Sequence, residues 1–354
     1  MSENLTQAYR YLYDHAQPVI RNEAAAYLGL ETEELRAQML NLSTVQYWIG
    51  CLEQYAHELK THNSGDTCLE NSMHKLLSFG IRETDDPRIP ETNRFILEYM
   101  QKNAGNQRFY DSVNPTIAAS WLACMGYEDQ LVVDIIRERV EAVYSFAQYR
   151  DYDIYTSPSG YPPIPTERQA HPLVHPRLYE GNVWKLPTVH DLFAYANLPA
   201  VLDREERIHT MIDAVIEYIL DERYQRLPIG YGLMLVRPNR YYGMGWSMHL
   251  YRYFENSPLG LYGIVWNMEL LSHFKKARES EWFKNTLEHL RSFEKDGLYE
   301  FPKEYISEAK NAYYVGGGHM GLGEDRKKKQ SVALESTAWM LRILRNARGQ
   351  DPTA

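Results

Sequence analysis

A unit of helix, short stop, acidic restart and second helix recurs along this chain and limits what it can fold into. The clearest copy is MHKLLSFGIRETDDPRIPETNRFILEYMQ, residues 73–101. Others span residues 117–148 and 190–222, and a looser one spans 261–297. SVALESTAWMLRILRNA, Ser331–Ala347, reads as the first half of a fifth. A single helix pair cannot bury its apolar face alone, so repeated pairs must stack. The expectation is an all-α array of helix pairs over residues 66–354. Residues 1–65 read as an N-terminal helical extension or a degenerate first repeat.

The stops and restarts carry their own chemistry. The first helices end near Gly80, Gly126 and Asn197, residue types that tolerate a left-handed C-cap. Acidic groups follow: Asp85-Asp86-Pro87, Glu128-Asp129 and Asp203-Arg204-Glu205-Glu206. They suit the positive start of the second helix, so the double Asp reads as a capping device rather than a metal site. The second helices carry apolar stripes such as Ile136, Val140 and Val143, or Ile212, Val215, Ile216 and Ile219. Nearer the start, Leu40, Leu42, Val45, Trp48, Ile49, Leu52 and Tyr55 keep helical spacing, with Ser43 or Thr44 as the expected cap.

Bulk properties exclude several partners. The net charge is −9, and no long basic run offers itself to a nucleic-acid backbone. Arg326-Lys327-Lys328-Lys329 sits beside Glu324 and Asp325 and reads as a solvated loop. No stretch approaches the ~18 apolar residues of a membrane span. The start, MSENLTQAYRYLYDHA, lacks a basic region followed by an apolar core, so a standard secretion signal is not expected. Cys51, Cys68 and Cys124 show no metal-like pairing and read as reduced thiols of a cytoplasmic protein. Tyrosine is unusually common, 28 against 10 Phe, and its polar-tipped ring suits either cavity walls or helix seams.

Three stretches interrupt the repeats. Residues 157–176 hold six prolines and cannot keep a regular helix, so they form a rigid connector or a lid. Residues 227–253 are dense in Gly and Tyr. Residues 313–330 contain GGGHMGLG, where the glycines allow flexibility or a close backbone approach to a ligand.

The repeated pairs, with endings such as Lys295-Asp296-Gly297-Leu298-Tyr299, resemble the α/α toroid of terpenoid cyclases and protein prenyltransferases. The segment Trp184-Lys185-Leu186-Pro187-Thr188-Val189-His190-Asp191-Leu192 is similar to bacterial squalene-cyclase-like proteins. The resemblance covers roughly residues 70–347 and implies an α/α toroid with a central cavity. The families' catalytic signatures are absent. The nearest string to the Asp-x-Asp-Asp acid motif is Asp151-Tyr152-Asp153-Ile154, which lacks the last Asp. There is no Gln–Trp repeat, no helical acidic cluster for Mg²⁺ and no Asp-x-Cys zinc string.

Residues just before inner helices of such a toroid face the cavity. The candidates are therefore Trp184, His190, Asp191, Tyr241, Tyr242, Trp246, His249, His319 and Glu335. Asp191 with His190 has the makings of an acid/base pair, or Asp191 stabilises its helix start while His190 packs. Trp184, Tyr241, Tyr242 and Trp246 would line an aromatic cavity, stack on sugars or fill the centre. The expected function is binding of an apolar or isoprenoid ligand, with no cofactor or metal. Two alternatives stay open: a non-enzymatic scaffold, and a carbohydrate-active (α/α) lyase or hydrolase using Asn239, Arg240, Tyr241, Tyr242 and His249.

Overall fold

The computed structural model describes residues 2–62, 68–103, 109–250, 263–309 and 312–348. The start of the expected fourth repeat, at 261–262, and the end of the Gly/Tyr stretch, at 251–253, lie outside the described residues. The described chain is mostly helical, with two small sheets. It divides into two compact units, one of residues 1–96 with 251–354 and one of residues 97–250. No described helix is long and apolar enough to cross a membrane.

The chain begins with α1 (Ser2–His15), α2 (Pro18–Tyr27), α3 (Glu33–Leu40), α4 (Ser43–His57) and α5 (Leu69–Ser78). Helix α6 (Arg88–Asn103) runs across the boundary. The second unit adds α7 (Phe109–Cys124), α8 (Gln130–Ala147), α9 (Val189–Ala196), α10 (Ala200–Asp203), α11 (Glu206–Leu220) and α12 (Glu222–Gln225). The chain then returns with α13 (Ile264–Leu271), α14 (Lys275–Glu279), α15 (Glu281–Arg291) and α16 (Ser331–Ala347).

Two kinds of helix alternate. In α5 every residue but Leu77 is buried, and in α13 every residue but Glu269. Helices α9 and α16 are buried on nearly every side as well. By contrast, α8, α11 and α15 bury one stripe, such as Phe283, Thr286 and Leu290 in α15. A helix buried all round belongs inside a fold, and a striped one covers it from outside. In the second unit α7 packs on α8 and α9, and α11 on α8. In the first, α13 packs on α15 and α16, and α4 on α5.

The stops follow the expected rule at two of three places. Gly80 (φ +70°) and Gly126 (φ +87°) are left-handed. Asn197 is not: it has φ −136° and closes α9 by donating its side-chain N–H to Phe193 O at 3.0 Å. At the restarts, Asp86 accepts from Arg88 N at 3.0 Å and Asp129 from Leu131 N at 3.0 Å. Glu205 instead takes both arms of Arg137 at 2.7 Å each. Neither Ser43 nor Thr44 caps α4. The cap position is Leu42, with no side-chain hydrogen bond, and the buried stripe begins at Val45.

The irregular stretches also contain strands that the sequence reading left out. β1 (Tyr155–Thr156), β2 (Leu173–Val174), β3 (Gly232–Arg237) and β4 (Arg240–Met244) form one sheet in that order. β2 runs parallel to β3, and β3 and β4 form an antiparallel hairpin turning at Pro238-Asn239. The Pro-rich segment is thus a sheet partner, with Leu173, Leu233 and Tyr241 packed into a small core. β5 (Glu294–Lys295) and β6 (Leu298–Tyr299) make a separate hairpin.

Candidate functional site

The candidate residues fall into two clusters, one in each unit. In the second unit, Thr188 and Asp191 form a capping box at the start of α9. Thr188 donates N–H and Oγ1–H to Asp191 Oδ2 at 2.7 and 2.8 Å. Arg139, from α8, adds a two-armed fork: Nε to Oδ1 and Nη2 to Oδ2, both 2.9 Å. The same guanidinium donates to the carbonyls of Trp184 and Leu186. Asp191 is 0% exposed, and donors claim both of its oxygens. This arrangement ties α8 to α9 and to the segment before it. It gives the carboxylate a structural task rather than the geometry of an acid waiting for a substrate.

The aromatic residues around it are tied in similarly. His190 is buried with its ring 5.6 Å from Trp246, edge to face, and Trp246 O accepts from Val189 N at 3.0 Å. Trp184 packs edge to face on Tyr231 at 5.4 Å. The Tyr231 hydroxyl lies 2.6 Å from that of Tyr224 and donates to Pro187 O at 2.5 Å. Burial pushes both hydroxyls well above the ordinary tyrosine range.

Tyr241, Tyr242 and His249 do not assemble as the lyase-type reading expects. Tyr241 faces the small sheet core and donates its hydroxyl to Pro162 O at 2.5 Å. Tyr242, its strand neighbour, points to the other face of the sheet and is half-buried, while Asn239 and Arg240 are exposed at the hairpin tip. His249 Nε2 faces Leu227 O at 2.9 Å, which fixes the proton on that nitrogen, and Nδ1 faces Ser247 Oγ at 2.9 Å. Burial pushes the His249 imidazole below its usual pKa, against the Leu227 carbonyl.

In the first unit, the Gly-rich loop wraps over α5. Lys75 is 1% exposed, and its ammonium has four acceptors: Glu308 Oε1 and Oε2 at 3.0 Å, His319 O at 2.9 Å and Gly321 O at 2.6 Å. Glu308 also accepts from Gly321 N at 2.5 Å. Burial works against ionising Glu308, but His319, Lys75 and the Gly321 N–H outweigh it and hold its carboxyl at about 2. A Cβ at Gly321 would lie 2.7 Å from Glu308 Oε2, so this glycine serves a close approach to a side chain of the protein itself. Glu335 holds the other end of the loop. Its Oε1 accepts from Leu322 N at 2.6 Å, and its Oε2 takes Arg326 Nε at 2.9 Å and Nη2 at 2.7 Å. Burial pushes the Glu335 carboxyl up, and Arg326 and the Leu322 N–H oppose this.

His319 projects into this cluster from a left-handed backbone, φ +56°. It is 4% exposed, with Nδ1 3.9 Å from Glu308 Oε1 and its ring 5.1 Å from Trp48, edge to face. Its Nε2 has no hydrogen-bond partner among the described residues. His74 stacks flat on Tyr314 at 4.2 Å. Burial, then the charges of Lys75 and His319, drive the His74 pKa well below 6.5, so this imidazole is neutral. Asn71 brackets the neighbouring backbone, donating to Ala312 O and accepting from Tyr314 N at 3.3 Å each. Among the described residues no group of three or more His, Cys, Asp or Glu side chains could hold a metal ion.

No family model matches the chain, and no curated protein or solved structure matches it either.

The two clusters contain the expected His319, Glu335, Asp191 and aromatic neighbours, together with Arg139, Lys75, His74 and Glu308, which the sequence reading did not name. Three of these left a signal. Arg139 interrupts the stripe Ile136, Val140, Val143, and His74-Lys75 interrupts a helix that is otherwise apolar between Met73 and Leu77. Glu308 lies in a loop with no periodicity, and only the fold brings it to Lys75.

Proposed function

We propose that the chain is a terpenoid-cyclase-like α/α toroid that encloses a small neutral ligand, apolar or isoprenoid, near His74, His319 and Tyr314. The observation that carries this reading is the polar content of helices buried on every side. Helix α5 buries Glu70, Asn71, Ser72, His74 and Lys75, and α16 buries Glu335, Ser336 and Thr337. Buried polar groups cost free energy unless they are bonded, so a helix that served packing alone would carry apolar residues there. Trp48, Trp266 and Tyr314 supply aromatic surface in the same unit.

Charge favours a neutral ligand over a prenyl diphosphate. Lys75 is matched by Glu308, and Arg326 by Glu335. Neither cation is left over for a phosphate, which is held by unmatched cations or charge-assisted donors. The scaffold reading draws support from the Asp191–Arg139–Thr188 network, where every charge serves the fold.

Native mass spectrometry of the purified protein, followed by solvent extraction, tests the proposal. The expected result is a neutral bound species. A protein that arrives empty and takes up neither squalene nor farnesol contradicts it and favours the scaffold.

A further inference from the structure

We infer that a basic pocket of the first unit binds a nucleoside polyphosphate, with the phosphates on Lys303, Lys327, Lys328 and Lys329 and the base against Phe293. The inference does not rest on the neutral-ligand reading above.

The pocket has a volume of about 550 Å³, within the ordinary range of small-molecule sites. Its lining holds five cations, the four lysines and Arg326, against one carboxylate, Glu300. Arg326 is spent on Glu335 and on Ile306 O. The four lysines are exposed, and among the described residues no carboxylate or carbonyl holds their ammonium groups. In a chain of net charge −9 this gathers charge of the minority sign around one concave surface. Such a surface concentrates anions, because the ammonium groups repel one another until a counter-charge arrives.

Buried hydrogen bonds build the walls. Ser336 and Thr337 of α16 accept from Phe301 N at 3.0 Å and from Tyr299 N at 2.9 Å, which holds the segment leading to Lys303 against the helix. A single helical turn, Lys303–Ile306, follows, and Arg326 donates to its last carbonyl at 2.7 Å. The three consecutive lysines sit in a turn closed by Asp325. Its carbonyl accepts from Lys328 N at 2.8 Å and from Ser331 Oγ at 2.6 Å, and its Oδ1 accepts from Lys327 N at 3.2 Å. Glu324 faces Gln17 N instead. Both acids beside the basic run are thus directed at backbone N–H groups, and neither pairs with an ammonium.

Two further features narrow the ligand. Helix α16 starts directly after the run, with no side-chain cap and no acid in its first turn. Its positive end adds to the lysines, and phosphate suits that combination of helix start and point charges. Phe293, half-buried, and Val332 bring apolar surface to the same lining. A bare phosphate chain leaves that surface wet, whereas a base carried on the chain covers it.

Isothermal titration calorimetry on the full chain, in EDTA, tests this with ATP and tripolyphosphate. ATP should bind about fivefold more tightly than tripolyphosphate. Lys327→Ser with Lys328→Ser should weaken both by on the order of 30-fold. A control chain with Lys275→Ser and Lys284→Ser loses the same charge from exposed positions outside the pocket and should keep wild-type affinity. Phe293→Leu should erase the advantage of ATP and leave tripolyphosphate binding as it was. The melting temperature of the ligand-free Lys327/Lys328 variant should not fall, since these lysines serve no packing. The absence of saturable binding of either probe at about 1 mM overturns the inference. Equal weakening in the pocket and control variants overturns it too, because charge attraction alone then explains the binding. So does ATP that binds no more tightly than tripolyphosphate. None of these outcomes touches the neutral-ligand reading, and the Lys327/Lys328 variant is the background in which a prenyl diphosphate is compared with its alcohol.

Discussion

Lys75 has three protons and four oxygen neighbours within 3.0 Å, and it is buried between α5 and the Gly-rich loop. Lys75→Met would strand the Glu308 carboxylate and two carbonyls. The expected loss of stability is on the order of 3 kcal/mol by urea denaturation. Asp191 behaves alike in the second unit. Asp191→Asn removes the partner of a buried guanidinium and should cost on the order of 3 kcal/mol, while ligand carriage in the folded fraction stays unchanged. A folded, fully stable Asp191→Asn protein that lost its ligand would restore the acid/base reading. The capping role of Asp191 was legible, because Thr188-x-x-Asp191 is a capping-box string ahead of an apolar run. The Arg139 fork was not, because it comes from a helix about 50 residues away.

At the scale of elements, the helices were legible and the sheet was not. Repeated apolar stripes at helical spacing mark α8 and α11 directly. The strands are short, and the pairing of Leu173 with Leu233 joins segments that no local pattern connects. The apolar run Leu233–Val236 and the Tyr241-Tyr242 pair on either side of Pro238-Asn239 were the available hairpin signal, masked by the surrounding Gly and Tyr content. The Tyr241 hydroxyl pins the Pro-rich segment to this hairpin at Pro162 O. Tyr241→Phe should cost about 1 kcal/mol and speed limited proteolysis within residues 157–171. Unchanged cleavage would mean that strand pairing alone holds the segment.

Helix α2 carries a pH-dependent anchor. Glu324 accepts from Gln17 N, at the N-cap of α2, at 2.5 Å. Burial raises its carboxyl from 4.5 to about 7, with Glu335 adding to the rise and the Gln17 N–H opposing it. Between those values the folded state holds a proton that the unfolded chain has released. Stability therefore falls as pH rises from 4.5 through about 7. Glu324→Gln keeps an oxygen for Gln17 and removes the titration. Its melting temperature should exceed that of the wild type at pH 8 and match it near pH 4. A variant equal to wild type at both pH values would contradict this.

For the whole molecule, the helix-rich character was legible from apolar stripes at helical spacing. The polar interior was not, since a lysine or histidine on a helix reads as an exposed residue until the fold buries it. Those buried groups carry the proposal of a neutral ligand near His74 and Tyr314, since Lys75 is matched by Glu308 and Arg326 by Glu335. Equilibrium binding of farnesol against farnesyl diphosphate tests that claim most directly. The two share one chain and differ only in the head group. Farnesol should bind more tightly, and its advantage should persist at high salt, since Lys75 and Arg326 are already matched by carboxylates. Tighter binding of the diphosphate, weakening as salt is added, would contradict the account.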